Sequence, residues 1–343
     1  MTQNTPLSLS PLLRAPDVKS VAQLRARGVS AAQTAAQCLP GGPWQQLLPG
    51  VYLLHPGPPT GEERLHGALL YAGRPPASAR RPVPAPAGPG YGEAMVTGMA
   101  ALTLYGFSAA PTLVSLHRID VLVPRTRRLR STRYVQVVRG SGLPRPVQAA
   151  GVPVAPVERA LADAVAGITD GSVARLLLTE AVRGGHCEPA AVVRELSGAK
   201  LLGRDHVKEA VDSLLAEGRA IAESRLYEMV RAYALPDPLW NVDLRLPGGP
   251  RLGGVDAYWP EQAVAVAIDT RPPGGEGRPE DREAQWSAYA AERDHLERLG
   301  VTVVHVTPKK LRETLEQQAT VVRTALMAAN DREPAAYVVI LPR

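Results

Sequence analysis

A cluster of arginines in the first half of the chain has the chemistry to bind a polyanion. It surrounds two strand-like stretches, Ile119–Pro124 and Tyr134–Val138, and Asp120 is the only acidic residue in that interval. A guanidinium group forms paired hydrogen bonds with phosphate oxygens, and such contacts position a duplex without reading its sequence. We therefore predict a phosphate-facing hairpin; a solvated turn and an internal partner for the acidic C-terminal half are the alternatives. The arginines are Arg118, Arg125, Arg127, Arg128, Arg130 and Arg133.

Two short helices joined by a tight turn are predicted near the start of the chain. Ser20 followed by Gln23, and Ser30 followed by Gln33, fit capping boxes, in which the hydroxyl accepts a backbone N–H and the Gln side chain bonds back. Gly28 can end the first helix in a left-handed conformation. A helix, a three-residue turn and a second helix form the helix-turn-helix pattern.

A β-hairpin is predicted directly after the second helix, because two short apolar runs flank Pro49 and Gly50. Two helices followed by a hairpin predict a winged helix; a small cap that binds nothing is the alternative. The second helix of such a motif enters the major groove of DNA, where Gln side chains pair with adenine edges. This interpretation makes Gln33, Thr34 and Gln37 the candidate base-contacting residues.

Charge is distributed unevenly along the chain. The formal net charge is +6, yet the first 150 residues hold 16 Lys+Arg against 5 Asp+Glu, which leaves 23 against 28 for the remainder. The basic N-terminal part of the chain would be attracted to polyanions, whereas the acidic C-terminal part would not. Charge that only maintains solubility is the alternative interpretation.

Cysteine content and hydropathy exclude several classes of protein. The two cysteines, Cys38 and Cys187, are too few for a disulfide framework or a cysteine zinc site. A reduced, cytoplasmic protein is therefore expected. No apolar run approaches the roughly 18 residues that a membrane span requires, and no signal peptide is recognised, so no membrane partner is expected.

Three sequence phrases resemble a known family. Trp44, Leu47, Gly50, Val51 and Tyr52 form the pattern W-x-x-L-x-x-G-V-Y, which is similar to AbiEi-like type IV antitoxins and transcriptional regulators. Two later phrases match as well, at Ala101, Leu102, Leu104 and Gly106, and at Gly151, Pro153, Arg159 and Asp163. The resemblance implies a winged helix that leads a second α/β domain. Arg159 and Asp163 are spaced i and i+4, and we interpret them as a structural ion pair.

The predicted element order of the last third, αβββαβα, resembles the PD-(D/E)XK nuclease fold of very-short-patch-repair endonucleases. That resemblance implies carboxylates that hold Mg²⁺, which activates a water molecule for attack on phosphate. Glu223 then matches the helix carboxylate, Asp256 the strand aspartate and Asp269 the third-strand position, whereas Ala267 stands where the family has an acid. We therefore predict a degenerate site and no cofactor; if the site functions, Asp256 and Asp269 would bind Mg²⁺.

The expected fold class is α+β with several domains. A winged-helix head is predicted over 1–58, and an AbiEi-like α/β domain over 59–165 with a Pro-rich insertion at 74–92. A helical connector follows over 166–218, and a nuclease-like domain over 219–343.

These features predict a DNA-binding transcriptional regulator or antitoxin-like protein with an inactive nuclease-like domain. Double-stranded DNA is the expected partner, and a homodimer and a partner protein or toxin are further expectations. The alternatives are an Mg²⁺-dependent DNA endonuclease and a protein–protein interaction module, the latter because the second helix carries no charge.

Overall fold

The computed structural model describes residues 17–74, 90–249, 251–269, 296–329 and 338–342. The chain divides into an N-terminal unit, Met1–Glu180, and a C-terminal unit, Ala181–Arg343. Both units contain helices and a sheet, which confirms the mixed α+β class. Most of the predicted Pro-rich insertion, residues 75–89, lies outside the described residues. Within the described ranges, no helix combines the length and the apolar composition that crossing a membrane requires.

The N-terminal unit begins with a small antiparallel sheet and two helices. In its sheet β3 lies between β1 and β2. The two predicted helices and the hairpin after them are confirmed, whereas the strand before the first helix was not predicted. The elements are β1 Val18–Ser20, α1 Val21–Ala26, α2 Ala31–Gln37, β2 Gln45–Leu48 and β3 Val51–Leu53.

Both predicted capping boxes are present. The backbone N–H of Ser20 donates to Gln23 Oε1 at 2.8 Å, and that of Ser30 donates to Gln33 Oε1 at 2.8 Å. Each serine hydroxyl in turn accepts the N–H of its glutamine. Gly28 has a φ of 83°, the left-handed conformation that ends α1. Local hydrogen bonds therefore define the start of each helix, and Gly28 defines the end of the first.

A second, five-stranded sheet forms the rest of the N-terminal unit, in the order β6-β5-β4-β8-β7. Helix α3 begins at the capping box of Thr60 with Glu63. The elements are α3 Gly61–Gly73, β4 Met95–Thr97, α4 Gly98–Leu104, β5 Ile119–Pro124, β6 Val135–Gly140, β7 Val147–Ala149, β8 Val152–Val154 and α5 Val157–Ala166. Helix α6, Gly171–Arg183, begins in this unit and ends in the next.

The predicted hairpin around the arginine cluster is wrong. Strands β5 and β6 are neighbours, but they are parallel, with Ile119 opposite Val135 and Pro124 opposite Gly140. The chain between them, residues 125–134, therefore crosses back over the unit instead of reversing in a tight turn. Leu129 anchors this crossover segment in the core, where it is 4% exposed.

The C-terminal unit is a second five-stranded sheet, in the order β12-β11-β10-β9-β13. Only the pair of β11 and β12 is parallel. Residues 218 and 219, where the predicted connector ends, lie inside the single 28-residue helix α8. The helix expected over 278–299, between the third and fourth strands, lies mainly outside the described residues. The elements are α7 Pro189–Gly198, α8 Asp205–Ala232, β9 Leu239–Arg245, β10 Arg251–Trp259, β11 Val264–Ile268, β12 Thr302–Val306, α9 Pro308–Glu313, α10 Leu315–Ala329 and β13 Val339–Pro342.

The sheet of the C-terminal unit is buried on both faces. On one face Trp259 and Val266 pack with Leu226 of α8 and Val322 of α10. On the other, Tyr258 packs with residues such as Leu244 and Ala265. Helix α8 is thereby held against the sheet. This packing places Arg219 and Glu223 of α8 close to Asp256 of β10.

Candidate functional site

Helix α2 presents almost its whole surface to solvent. Six of its seven residues are exposed, and Thr34 alone is buried, at 4% exposure. The Thr34 hydroxyl donates to the Ser30 carbonyl oxygen at 2.9 Å. The prediction that Thr34 faces a DNA groove is therefore wrong, because its side chain points into the unit.

The two glutamines of α2 are both exposed, but they differ in what they can offer. The Oε1 atom of Gln33 accepts the Ser30 N–H in the capping box, which holds this amide against the start of α2 and occupies one of the two lone pairs of its oxygen. A bidentate contact with adenine needs both the oxygen and the nitrogen of the amide. Gln37 lies in the last turn of α2, outside the capping box. It is therefore the better candidate for a base contact.

Three of the six predicted phosphate-binding arginines are used inside the N-terminal unit. Arg118 lies against Asp120, with 2.9 Å between Nε and Oδ1. Arg127 donates to the carbonyl oxygens of Ala72, at 2.9 Å, and Arg74. Arg133 donates to the backbone of β2, at 2.8 Å to the Gln46 oxygen. Each of these three side chains therefore already binds an internal acceptor, so fewer of its N–H donors remain for a phosphate group.

The other three predicted arginines form an exposed group. Arg125, Arg128 and Arg130 all lie in the crossover segment, and all three are exposed. In the part of the chain that the structure describes, none of their side chains makes a hydrogen bond or an ion pair. The segment itself is attached to α3, because Tyr71 Oη donates to the Arg130 carbonyl oxygen at 2.8 Å. Three positive charges thus lie outward on a fixed backbone.

A buried polar cluster lies in the N-terminal unit, where β4, β5 and α5 meet. Arg159 Nε lies 3.0 Å from Asp163 Oδ2, which confirms the predicted structural pair. The same oxygen accepts the Thr97 hydroxyl at 2.6 Å. Asp120, opposite Thr97 in the sheet, is 6% exposed. Its Oδ1 has no hydrogen bond with the described residues, since Arg118 approaches at a poor angle.

This environment makes Asp120 a source of pH-dependent stability. Burial raises the pKa of Asp120, Arg118 opposes this and Asp163 adds to it. An unfolded aspartate titrates at about pH 4. Because the folded-state pKa is higher, the stabilising contribution is complete below about pH 4 and is lost as the pH rises through the folded-state pKa.

We expect the free energy of unfolding of the native chain, relative to Asp120→Asn, to fall as the pH rises from 4 to 7. Urea unfolding at several pH values measures it. Asp170 is the control with the opposite sign, because hydrogen bonds from Ser172 lower its pKa. The stabilising contribution of Asp170 should therefore be lost as the pH falls. If the difference in the free energy of unfolding between the native chain and Asp120→Asn is constant or grows with pH, the pKa of Asp120 is not raised in the folded protein.

In the C-terminal unit, an arginine joins two of the three predicted carboxylates. Arg219 Nε lies 2.8 Å from Glu223 Oε1, and its Nη2 donates to Asp256 Oδ1. The second oxygen of Asp256 accepts the Ile268 N–H at 2.6 Å. Asp256 is 4% exposed, so its charge is compensated within the protein. Sequence reasoning missed Arg219, although its i, i+4 spacing from Glu223 was a usable signal.

The third strand supplies no acid beside Asp256. Ala267 of β11 is paired with His305 of β12, and the register places Asp256 of β10 opposite Ala267. Asp269 follows two residues later, where its N–H donates to the Val306 carbonyl oxygen at 2.9 Å. Among the described residues, no three His, Cys, Asp or Glu side chains form a group that could hold a metal ion. Asp269 therefore does not complete a set with Glu223 and Asp256.

The residues present do not fit the Mg²⁺ ion that the nuclease resemblance implies. Mg²⁺ requires oxygen ligands in near-octahedral geometry. Here the two carboxylates face a guanidinium group, which has no acceptor atom and the same sign of charge as the ion.

The chain matches no protein-family model and no curated protein sequence.

Proposed function

We propose that this chain is a DNA-binding transcriptional regulator of the AbiEi-like, antitoxin-related kind, and that its C-terminal unit has a nuclease-like fold without nuclease activity. The observation that carries the proposal is the group of exposed arginines on the crossover segment, Arg125, Arg128 and Arg130. Because no acid of the described chain is paired with them, these arginines can form charge-assisted bonds to phosphate.

Residues 17–53 support the same proposal. A winged helix is expected to have two capped helices followed by a hairpin. Residues 17–53 have this arrangement, with β3 between β1 and β2. In this proposal α2 enters the major groove, and Gln37 contacts a base edge. The exposed alanines of α2 can contact thymine methyl groups. Affinity then comes mainly from the arginines, because α2 itself carries no charge.

Salt dependence of DNA binding tests the proposal. We expect the full chain to bind a duplex from its own promoter region, measured by fluorescence anisotropy. Three phosphate contacts give a slope of about −2.7 in log K against log salt, so the affinity falls about 40-fold between 0.05 and 0.2 M salt. A slope near zero, or no binding at low salt, would contradict the proposal.

A protein–protein interaction module is the second candidate function. It is favoured by the uncharged, alanine-rich surface of α2 and by Leu39, which is 63% exposed directly after that helix. Binding without counterion release shows little dependence on salt. The same titration therefore separates the two candidates.

A further inference from the structure

We infer that Arg219 is a built-in cation that joins α8 to β10 and closes the carboxylate site to divalent ions. The inference concerns the C-terminal unit alone and does not depend on DNA binding by the N-terminal unit. It is based on the contacts of one guanidinium group with two acids from different elements.

The geometry shows a bridge. Arg219 and Glu223 lie one turn apart on α8, and 2.8 Å separates Nε from Glu223 Oε1. The Nη2 atom of Arg219 reaches across to Asp256 Oδ1 on β10. The guanidinium group therefore lies between the two carboxylates, which is where an ion ligated by both would lie. Its side chain is 34% exposed, against 5% for that of Asp256.

The surroundings of Asp256 favour a resident arginine over an exchangeable ion. Both of its oxygens already accept hydrogen bonds, one from Arg219 and one from the Ile268 N–H. The residue opposite it on β11 is Ala267, whose methyl group cannot ligate a metal. Removing the arginine would leave a buried carboxylate without a counter-charge, and such a group is strongly destabilising. Asp256 therefore depends on Arg219 for compensation.

The inference predicts that removing Arg219 creates a binding site for a divalent ion. In the native chain, Mn²⁺ should neither bind at this site nor change the unfolding midpoint. In Arg219→Ala the midpoint should be lower, and Mn²⁺ should raise it, because the ion then compensates Glu223 and Asp256. With Mn²⁺ at 100 times its Kd, the ratio of folded to unfolded chain should rise about 100-fold.

Thermal unfolding and isothermal titration of the full chain with Mn²⁺ provide the measurement. Arg225→Ala is the matched control, because Arg225 lies on the same helix and pairs with Glu228 in an exposed i, i+3 contact. This control should gain no Mn²⁺ binding. Arg219→Ala combined with Asp256→Asn should lose the Mn²⁺ response of the single variant, because the ion then lacks its main ligand.

Arg219→Gln is a second test in case Arg219→Ala does not fold. Its amide can still donate a hydrogen bond to Asp256 while the positive charge is gone, so this variant should also gain Mn²⁺ binding. Two results would overturn the inference. One is Mn²⁺ binding by the native chain that Asp256→Asn abolishes; the other is a folded Arg219 variant that gains no Mn²⁺ binding. DNA affinity is measured separately, so a failure here is distinct from a failure of the proposed function.

Discussion

Replacing Arg125, Arg128 and Arg130 together with alanine is expected to weaken binding to double-stranded DNA about a hundredfold at 0.15 M salt. Each phosphate contact contributes about 0.9 to the slope of log K against log salt, so three contacts contribute about 2.7. Extrapolated from 1 M to 0.15 M salt, this slope corresponds to roughly two orders of magnitude in affinity. The triple variant should therefore bind weakly and show a flatter salt dependence than the native chain.

Fluorescence anisotropy at several salt concentrations measures both quantities. The control carries the same loss of charge at exposed arginines elsewhere, namely Arg175→Ala, Arg194→Ala and Arg231→Ala together. This control should change the affinity less than tenfold, because only long-range attraction is reduced. An equal loss in both triple variants would show that general charge, and not the crossover segment, attracts DNA.

Asp163→Ala is expected to lower the free energy of unfolding of the N-terminal unit by about 3 kcal/mol. Asp163 Oδ2 accepts hydrogen bonds from the Thr97 hydroxyl, at 2.6 Å, and from Arg159 Nε, at 3.0 Å. Thr97 is fully buried, and the Arg159 side chain is only 21% exposed. The variant leaves a buried hydroxyl without its acceptor and a largely buried guanidinium group without its counter-charge.

Hydrogen exchange read by mass spectrometry localises this loss, because peptides from residues 90–180 report on the N-terminal unit alone. Their protection should fall by about two orders of magnitude, which corresponds to the expected change in free energy. Glu62→Ala is the control in the same unit, since Glu62 is exposed in the first turn of α3 and should cost less than about 1 kcal/mol. A loss below 1 kcal/mol in Asp163→Ala would show that the pair contributes little.

Features encoded by short-range spacing could be predicted from the sequence. The capping boxes at Ser20 and Ser30 and the left-handed Gly28 depend on residues three or four positions apart, and the structure contains all of them. The ion pair of Arg159 with Asp163 is also local, at one helical turn. These interactions need no knowledge of what packs against the helix.

Features that depend on distant partners could not be predicted in the same way. Two consecutive strand-like sequences do not reveal whether the strands pair parallel or antiparallel. The hairpin predicted for β5 and β6 is therefore wrong, and the two strands are parallel. Arg127 and Arg133 find carbonyl acceptors more than 50 residues away, and the sequence around them gives no sign of these partners. Asp256 was identified by resemblance, but its compensation by Arg219 spans 37 residues.

The parallel pairing of β5 and β6 limits how the segment between them can vary. Along β6, Val135 and Val137 are buried, whereas Gln136 and Val138 are partly exposed. A shift of β6 by one position against β5 would rotate these valines toward water, so the core fixes the register of the two strands. An added or deleted residue in 125–134 must therefore be absorbed within that segment, whereas substitution of its exposed side chains alters its charge and leaves the register unchanged.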